Sequence, residues 1–233
     1  MTKGGTMWNE FDSRETLAQT LAEAVAGALE DGIEERGMAT LAVSGGSTPA
    51  RFMAALSTRP IDWSKVTVLQ VDERFVPDTS PRSNAALAKA NLLQNAAAEA
   101  RFVSLYHDVA DVEASAKAAD AELSSMSWPL DAVILGMGPD GHTASFFPDA
   151  KELAALLDPA GTRAVMAVHA ESAGEPRLTL TLPRLVSARF LALHIEGEEK
   201  KMALERVMAE EPALPVRVVI EQAPQGMDIF WAP

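Results

Sequence analysis

The sequence has 233 residues, of which 48% are hydrophobic, carries a formal net charge of −13 at pH 7 and contains no cysteine. A chain of this length can bury a sizeable core in one large domain or two small ones. The lack of cysteine excludes disulfides, thiol catalysis and thiolate metal sites. The acidic charge disfavours nucleic acid and anionic membranes as partners.

The N-terminal residues show no apolar core of signal-peptide length, and no run of about 18 apolar residues offers a membrane span. We therefore expect a soluble, cytoplasmic protein. An anionic small molecule can still bind such an acidic chain, provided that positive side chains and backbone N–H groups are clustered locally. Any arginine or lysine beside a glycine loop is therefore informative.

Apolar periodicity and capping residues define the elements of the first half of the chain. Predicted helices cover residues 12–30, behind Asp12 or Ser13 as cap, 48–57 and 83–100, opened by Ser83 or Asn84. Predicted strands cover residues 38–46, 65–73 and 101–106. In the helix over 48–57, Thr48 is the expected N-cap and Pro49 the first helical residue.

The second half of the chain continues the alternation. Predicted helices cover residues 111–126, 152–157 and 198–211. Predicted strands cover residues 130–138, 162–170, 189–197 and 215–220, with an extended piece and a turn over 177–188. Apolar strands that alternate with helices predict an α/β fold: a doubly wound, mostly parallel sheet with helices on both faces, a Rossmann-like three-layer sandwich. We expect a single domain over residues 1–233.

Three strands end in unusual residues, in the segments LAVSGGST, LQVDERFVP and VILGMGPDGH. Ligands of open α/β sheets bind beyond the carboxyl ends of the strands, so these residues are expected to meet at one edge. In the first segment, Gly45 and Gly46 can expose backbone N–H groups at a helix start, and Ser47 and Thr48 add hydroxyl donors. This pattern suits a monophosphate, although an ordinary capped turn would look the same.

The third segment contains the spacing G-x-G-x-x-G on Gly136, Gly138 and Gly141. A dinucleotide site needs a full helix after the third glycine, and Pro148 leaves little room for one. The glycines are better explained as a tightly turned platform for Asp140 and His142. A histidine beside a carboxylate suits general acid–base catalysis, the alternative being a capping aspartate and an incidental histidine.

The remaining histidines, His107, His169 and His194, are isolated in the sequence, so we expect no catalytic metal and no cofactor. His169 and His194 lie in apolar strands and are expected to be core or edge residues.

Several charged residues are further candidates for the site. Asp72, Glu73 and Arg74 end the second of the three strands; Arg74 can bind an anion or stabilise an oxyanion, or belong to a surface salt-bridge cluster. Arg177 begins an extended run. Lys200 opposes the helix dipole and so indicates a nearby anion, whereas Lys201 suits a solvated surface.

The segments SGGSTP, VDERFVPDTSPRSNAALAKANLL, GMGPDGHTASFFP and PRLTLTLP, in this order over about residues 40–205, resemble the 6-phosphogluconolactonases of the glucosamine-6-phosphate isomerase/6-phosphogluconolactonase family. The resemblance implies hydrolysis of 6-phospho-D-glucono-1,5-lactone to 6-phospho-D-gluconate, the second step of the oxidative pentose phosphate pathway. No cofactor is implied.

The same resemblance implies roles for individual residues. His142 would be the general base that activates water, with Asp140 beside it, and Arg74 would lie near the phosphate or the lactone. The substrate-binding residues would be Gly45, Gly46, Ser47, Thr48, Asp72, Arg177 and Lys200. The pair Ser83 and Asn84 would support the pocket.

Two alternatives remain open at this point. The deaminase branch of the family continues after DGH with a segment that ends AFNEP, whose Glu assists ring opening; here the segment is TASFFPD, and Asp149 is a poor substitute by position. A non-catalytic sugar-phosphate sensor would normally carry a DNA-binding module, and no basic helix-turn-helix segment is evident. We expect a small phosphosugar lactone as the partner and a monomer, with a dimer as the alternative.

Overall fold

A computed structural model describes residues 5–209 and 212–233 of the protein. The strands are β1 Met7–Glu10, β2 Ala39–Val43, β3 Val66–Gln70, β4 Asp72–Arg74, β5 Arg101–Val103, β6 Ala132–Leu135, β7 Val165–Val168, β8 Arg177–Leu180, β9 Phe190–Glu196 and β10 Asp228–Ala232. The α-helices are α1 Arg14–Arg36, α2 Ala50–Ser57, α3 Asn84–Asn91, α4 Val112–Leu123, α5 Leu153–Leu156, α6 Leu182–Val186, α7 Glu198–Ala209 and α8 Pro215–Gln222. Short 3₁₀ helices cover Trp63–Lys65 and Asn95–Glu99.

Seven strands form a parallel sheet in the order β1-β10-β9-β6-β2-β3-β5. Successive side chains of its strands point to opposite faces. In β9, Leu193 packs in one core with residues of α4, α7 and α8, whereas Ala192 packs in a second core with residues of α1 and α2. The sheet is therefore covered by helices on both faces, and the predicted α/β three-layer fold is confirmed.

A second, antiparallel sheet in the order β4-β8-β7 lies beside the first. The strand predicted over residues 65–73 divides at Val71, which bonds to both sheets: its N–H donates to Val43 O, and its carbonyl accepts from Leu180 N–H, each at 2.9 Å. β4 then pairs with β8 in register Asp72↔Thr179 and Arg74↔Arg177. This division carries Asp72 and Arg74 to the edge where the parallel strands end.

The prediction of a strand over residues 215–220 is wrong, because this segment belongs to helix α8. Its β-branched valines suggested a strand, but Pro215 stands at the helix start and the buried residues Val216, Val219 and Ile220 follow helical spacing. The last strand is instead β10, which pairs with β9 and with β1. Neither β1 nor β10 was predicted.

Other element boundaries differ less. The first helix continues to Arg36 and ends at Gly37 in the left-handed region. The helix predicted over 83–100 is α3 followed by a 3₁₀ turn, and α2 begins at Ala50, so Thr48 is not its cap. Two residues of the helix predicted over 198–211, at 210 and 211, lie outside the described residues. Within residues 5–209 and 212–233, no helix has the length and apolar character needed to cross a membrane.

Candidate active site

A cavity of about 390 Å³ lies at the carboxyl ends of β2, β6 and β9. The structure brings together nearly all the site residues predicted from the sequence, since the lining includes Gly45, Gly46, Ser47, Thr48, Asp72, Arg74, His142, Arg177 and Lys200. Asp140 does not line the cavity itself but contacts His142. The predicted meeting of three strand ends at one sheet edge therefore holds.

The loop from β2 to α2 forms one wall of this cavity. Gly46 adopts a φ of +91°, a conformation that favours glycine. At position 45 glycine is required for a steric reason, because a Cβ there would lie 1.8 Å from Oδ1 of Asn84. Within the described chain, the backbone N–H groups of residues 45–48 donate to no protein acceptor. The loop therefore presents unpaired donors at a helix start, as an anion site does.

His142 lies on the loop after β6, held by its neighbour Asp140. Nδ1 of His142 is 2.6 Å from Oδ1 of Asp140, and the His142 N–H donates to the same oxygen at 3.3 Å. Burial acts to raise the pKa of Asp140, but the hydrogen bonds and charge of His142 outweigh it and hold that pKa below its usual value. The ionised carboxylate thus fixes the imidazole with Nε2 as its remaining nitrogen.

The glycine-rich segment around this pair does not start a helix. After Gly141 the chain passes through turns, and the next helix is α5, which begins at Leu153. The Phe147 ring lies 4.4 Å from the His142 ring, between centroids, and covers it on one side. This geometry agrees with the prediction that the spacing on Gly136, Gly138 and Gly141 is not a dinucleotide site.

Arg177 and Arg74 lie side by side on the paired strands β8 and β4. Arg177 stacks over Phe147 at 5.5 Å, donates to Ala173 O at 3.0 Å and leaves its Nε without a partner in the described residues. Burial lowers the pKa of Arg177, although it remains a cation at neutral pH. Glu175 lies 3.7 Å from the guanidinium of Arg177 and 3.6 Å from that of Arg74.

Lys200 of α7 reaches the cavity, whereas Lys201 does not. Nζ of Lys200 donates to Met137 O at 2.7 Å, and burial lowers the pKa of this lysine. Lys201 lies over the Trp231 ring at 4.1 Å and pairs with Glu10 at 2.8 Å. The two neighbouring lysines thus face different surroundings, but Lys201 is half-buried against Trp231 and not on the solvated surface expected of it.

Glu73 organises the chain that follows β4. Its buried carboxylate accepts from the backbone N–H groups of Arg74, Asn84 and Ala85 and from the side chains of Gln70 and Ser83, at 2.7 to 3.0 Å. Burial raises the pKa of Glu73 despite these hydrogen bonds, which act in the opposite direction. This network holds the start of α3 against the cavity.

The neighbouring Asp72 and Asn84 complete this wall. Asp72 accepts from Ser145 Oγ at 2.5 Å, and its backbone carbonyl accepts from Asn84 Nδ2 at 2.7 Å. Asn84 Oδ1 accepts from Arg74 at 3.2 Å. The pocket support expected of Ser83 and Asn84 is therefore visible in their contacts, and Asn84 also lines the cavity.

Sequence reasoning missed several lining residues. Ser172 and Phe147 line the cavity; Ser172 comes from a segment with no strand-end motif, and Phe147 lies beyond DGH in the loop after β6. His194, expected in the core or at an edge, is 3% exposed and also lines the cavity. Only the pairing of β9 with β6 places it there, and no local pattern indicates that pairing.

The remaining polar residues that were considered lie elsewhere. His169 pairs with Glu152 at 2.9 Å, and His107 is 3.5 Å from Glu122. Asp149 binds the N–H and hydroxyl of Ser172 and does not line the cavity. Among the described residues, no group of three or more His, Asp or Glu side chains could hold a metal ion.

At its carboxyl edge the parallel sheet carries a histidine–carboxylate pair and clustered cations, an arrangement typical of α/β enzymes with anionic substrates. The family model described as glucosamine-6-phosphate isomerases/6-phosphogluconolactonase matches residues 12–231. The chain belongs to this family.

Individual relatives agree with the family match. A 6-phosphogluconolactonase from Mesorhizobium japonicum is 60% identical over 97% of this chain and 95% of its own. One from Rhizobium meliloti is 50% identical over 96% of this chain and 97% of its own. The crystal structure of a 6-phosphogluconolactonase from Shewanella baltica superposes with a TM-score of 0.94 at 36% identity, over 98% of both chains.

Proposed function

We propose that this enzyme hydrolyses 6-phospho-D-glucono-1,5-lactone to 6-phospho-D-gluconate, in the oxidative pentose phosphate pathway. The observation that carries the proposal is the His142–Asp140 pair, 2.6 Å apart, in a cavity also lined by the loop at Gly45 and Gly46 and by half-buried cations. The names of the relatives support the same reaction.

In this proposal His142 is the general base. With Nδ1–H directed at Asp140, Nε2 accepts a proton from water as the water oxygen bonds to the lactone carbonyl carbon. The bond from that carbon to the ring oxygen then breaks, and protonated His142 returns the proton to the leaving ring oxygen. The ionised Asp140 stabilises the imidazolium between the two steps. No covalent intermediate with the enzyme is required.

The other residues of the cavity bind the substrate. The N–H groups of Gly45 and Gly46, the hydroxyls of Ser47 and Thr48 and the cation of Lys200 would hold the 6-phosphate. Arg177 would add a second cation, whose Nε has no partner among the residues that the structure describes. Arg74 would lie near the lactone, where a cation can stabilise a developing oxyanion, and Asp72 would face the sugar.

The proposal extends to the protein as a whole. Residues 1–233 would act as one domain, in the cytoplasm, as a monomer or alternatively a dimer. No nucleic acid, membrane or cofactor would take part. The deaminase alternative is disfavoured because Asp149 is turned toward Ser172 and lies outside the cavity.

The test is the disappearance of freshly prepared 6-phosphogluconolactone with the wild type, His142→Ala and no enzyme. We expect the wild type to accelerate the reaction over the spontaneous rate. Loss of the general base in His142→Ala should lower kcat at least about 100-fold. A wild type that matches the spontaneous rate would refute the proposal, and turnover of glucosamine 6-phosphate would then be measured. Unchanged kcat in the variant would refute the role of His142 alone.

A further inference from the structure

His194 is a buried imidazole that the proposed reaction does not use. It is 3% exposed, yet it lies among the residues that line the active-site cavity. Within the described residues, neither of its ring nitrogens has a hydrogen-bond partner. Leaving a buried polar group unpaired costs free energy, about 1–3 kcal/mol, so two free nitrogens beside a ligand cavity indicate a missing partner.

The sheet places His194 close to the anion-binding loop. Val43 of β2 is level with Ile134 of β6, which is level with Ala192 of β9. Continued two residues further, past the ends of β2 and β6, this register brings Gly45 and Gly136 alongside His194 of β9. Side chains two residues apart share a face of a sheet, so this row lies on the α1 and α2 side.

Both neighbours of His194 in this row lack side chains; the side chain of Asn84 fills the space at Gly45, whereas the space at Gly136 is open. A Cβ on Gly136 would meet only Ser44 Oγ, at 3.6 Å. The ring of Phe52 packs edge-on against the His194 ring, with centroids 6.3 Å apart, and fixes its position from the side of α2. His194 is thus the one side chain of the row, beside the loop that carries the unpaired N–H groups.

The imidazole of His194 lies beside a carboxylate that also faces two arginines. Glu196, of the same strand, has Oε1 at 3.3 Å from Nε2 of His194. Its other oxygen, Oε2, lies 3.4 Å from Arg14 of α1 and 3.6 Å from Arg51 of α2. The carboxylate therefore sits between the imidazole and two arginines, and Nδ1 of His194 is left for a ligand.

We propose that His194 is a further substrate-binding residue, whose Nδ1–H donates to the phosphate group held by the loop at Gly45 and Gly46. Glu196 is a positioning residue, whose carboxylate oxygen 3.3 Å from Nε2 keeps the ring oriented with Nδ1 toward the ligand. This inference rests on the proposed function for the location of the phosphate. It assigns His194 to the discrimination between phosphorylated and unphosphorylated lactones.

The experiment compares His194→Phe and His194→Gln with the wild type on 6-phosphogluconolactone and on unphosphorylated glucono-1,5-lactone. We expect His194→Phe to raise KM for the phosphorylated lactone roughly tenfold or more, the effect of one hydrogen bond to a charged group, with little change in kcat. Activity on the unphosphorylated lactone should be unchanged. His194→Gln, whose amide can donate, should recover part of the loss.

The matched control is His107→Gln, at a partly exposed histidine outside the cavity, which should behave as the wild type with both lactones. Equal losses on the two lactones in His194→Phe would overturn the proposal, because a merely structural residue affects both. An unchanged KM of His194→Phe for the phosphorylated lactone would also overturn it. If His194→Phe does not fold, as judged by thermal unfolding, the two lactones are compared with His194→Gln instead. A rise in KM for the phosphorylated lactone alone would then support the proposal, and equal changes with both lactones would overturn it.

Titration with inorganic phosphate separates this inference from the reaction itself. Weaker phosphate binding by His194→Phe, by roughly tenfold, is expected whether or not the wild type hydrolyses a lactone. A wild type that binds phosphate but turns over neither lactone would refute the proposed reaction and leave the role of His194 supported. Equal phosphate affinity in folded His194→Phe and wild type would refute the role of His194.

Discussion

Gly138 and His142 touch so closely that no side chain fits between them. A Cβ atom on Gly138 would lie 2.2 Å from Nδ1 of His142 and 2.5 Å from Oδ1 of Asp140. The Gly138 N–H also donates to the His142 carbonyl at 2.9 Å, which closes the turn. The second glycine of the G-x-G-x-x-G spacing therefore makes room for a histidine and its carboxylate, where a dinucleotide site would use it to approach a pyrophosphate.

This contact predicts the effect of Gly138→Ala. The methyl group must displace the imidazole or the Asp140 carboxylate, and a misplacement of about 1 Å at a reacting group can cost up to roughly 100-fold in rate. We expect kcat for the lactone to fall at least about tenfold. Steady-state kinetics, together with thermal unfolding to confirm that the variant folds, check this prediction.

Gly27→Ala is the control for Gly138→Ala. Gly27 lies inside α1, and a Cβ there would meet no atom within 4 Å. Alanine in a helix interior is favoured by about 0.5–1 kcal/mol over glycine, so this variant should be slightly more stable and equally active. Wild-type kcat in folded Gly138→Ala would show that the close contact does not position His142.

Asp140→Asn tests the charge of the carboxylate while keeping its size. The amide oxygen can still accept from Nδ1–H of His142, but it no longer stabilises the imidazolium formed during water attack. We expect kcat to fall roughly 10- to 100-fold with little change in KM. Because the pKa of Asp140 lies below its usual value, the wild type should keep this carboxylate ionised through the mildly acidic range.

Asp149→Asn supplies the comparison for Asp140→Asn. Asp149 is a carboxylate of the same loop region that binds Ser172 outside the cavity. Its replacement should leave kcat for the lactone within about twofold of the wild type, since surface substitutions rarely have larger effects. If Asp140→Asn changed only KM, the carboxylate would act on substrate binding and not on the base.

Local signals in the sequence were sufficient for most of the fold. Ser13 and Ser83, each one of two predicted cap candidates, accept a hydrogen bond from the third residue along, as capping residues do. Alternation of buried strands with helices predicted the parallel sheet. The error over residues 215–220 arose because three valines favour a strand locally, while tertiary packing of α8 through Val216 and Val219 decides the structure.

The candidate site was predictable where its chemistry lies at a strand end. Gly45, Asp72 and His142 follow apolar strands directly, and parallel topology brings such ends together. Glu175, His194 and the contact of Asn84 with Gly45 were beyond reach because they depend on contacts between segments that are distant in sequence. Asn84 lies against Gly45, for example, only because Glu73 holds the start of α3.

Arg177→Ala should weaken substrate binding more than turnover. The substitution removes a half-buried cation of the cavity and its contact with the Phe147 ring. Hydrogen bonds to charged groups contribute about 1.5–3 kcal/mol, which corresponds to a rise in KM of roughly 10- to 150-fold. We expect kcat to change only a few-fold. A pure loss of kcat would contradict the phosphate-binding role.

Arg184→Ala is the matched control for Arg177→Ala. Arg184 also stacks on an aromatic ring, that of Trp128 at 4.7 Å, and donates to a backbone carbonyl, that of Thr162 at 3.1 Å. It does not line the cavity. Its replacement should affect stability but leave KM for the lactone unchanged, so a comparable rise in KM would attribute the Arg177 effect to packing.

The lowered pKa of Lys200 predicts that ligand binding depends on pH. Burial lowers its pKa from the usual 10.5, and the charges of Glu199 and Asp140 offset this only in part. The lysine is a cation below its pKa, so as the pH rises it loses its charge earlier than an exposed lysine would. Affinity for the stable product 6-phosphogluconate, measured by calorimetry from about pH 7 to pH 10, should therefore fall on the alkaline side.

Lys200→Gln identifies the group responsible for that decline. The glutamine amide can still donate a hydrogen bond, but it carries no charge, so binding should be weaker at neutral pH by roughly tenfold and lose most of its alkaline decline. Lys201→Gln, which alters the cation beside Trp231 outside the cavity, should keep both the affinity and the decline. An unchanged decline in Lys200→Gln would mean that another group titrates, and that the buried charge of Lys200 does not bind the phosphate.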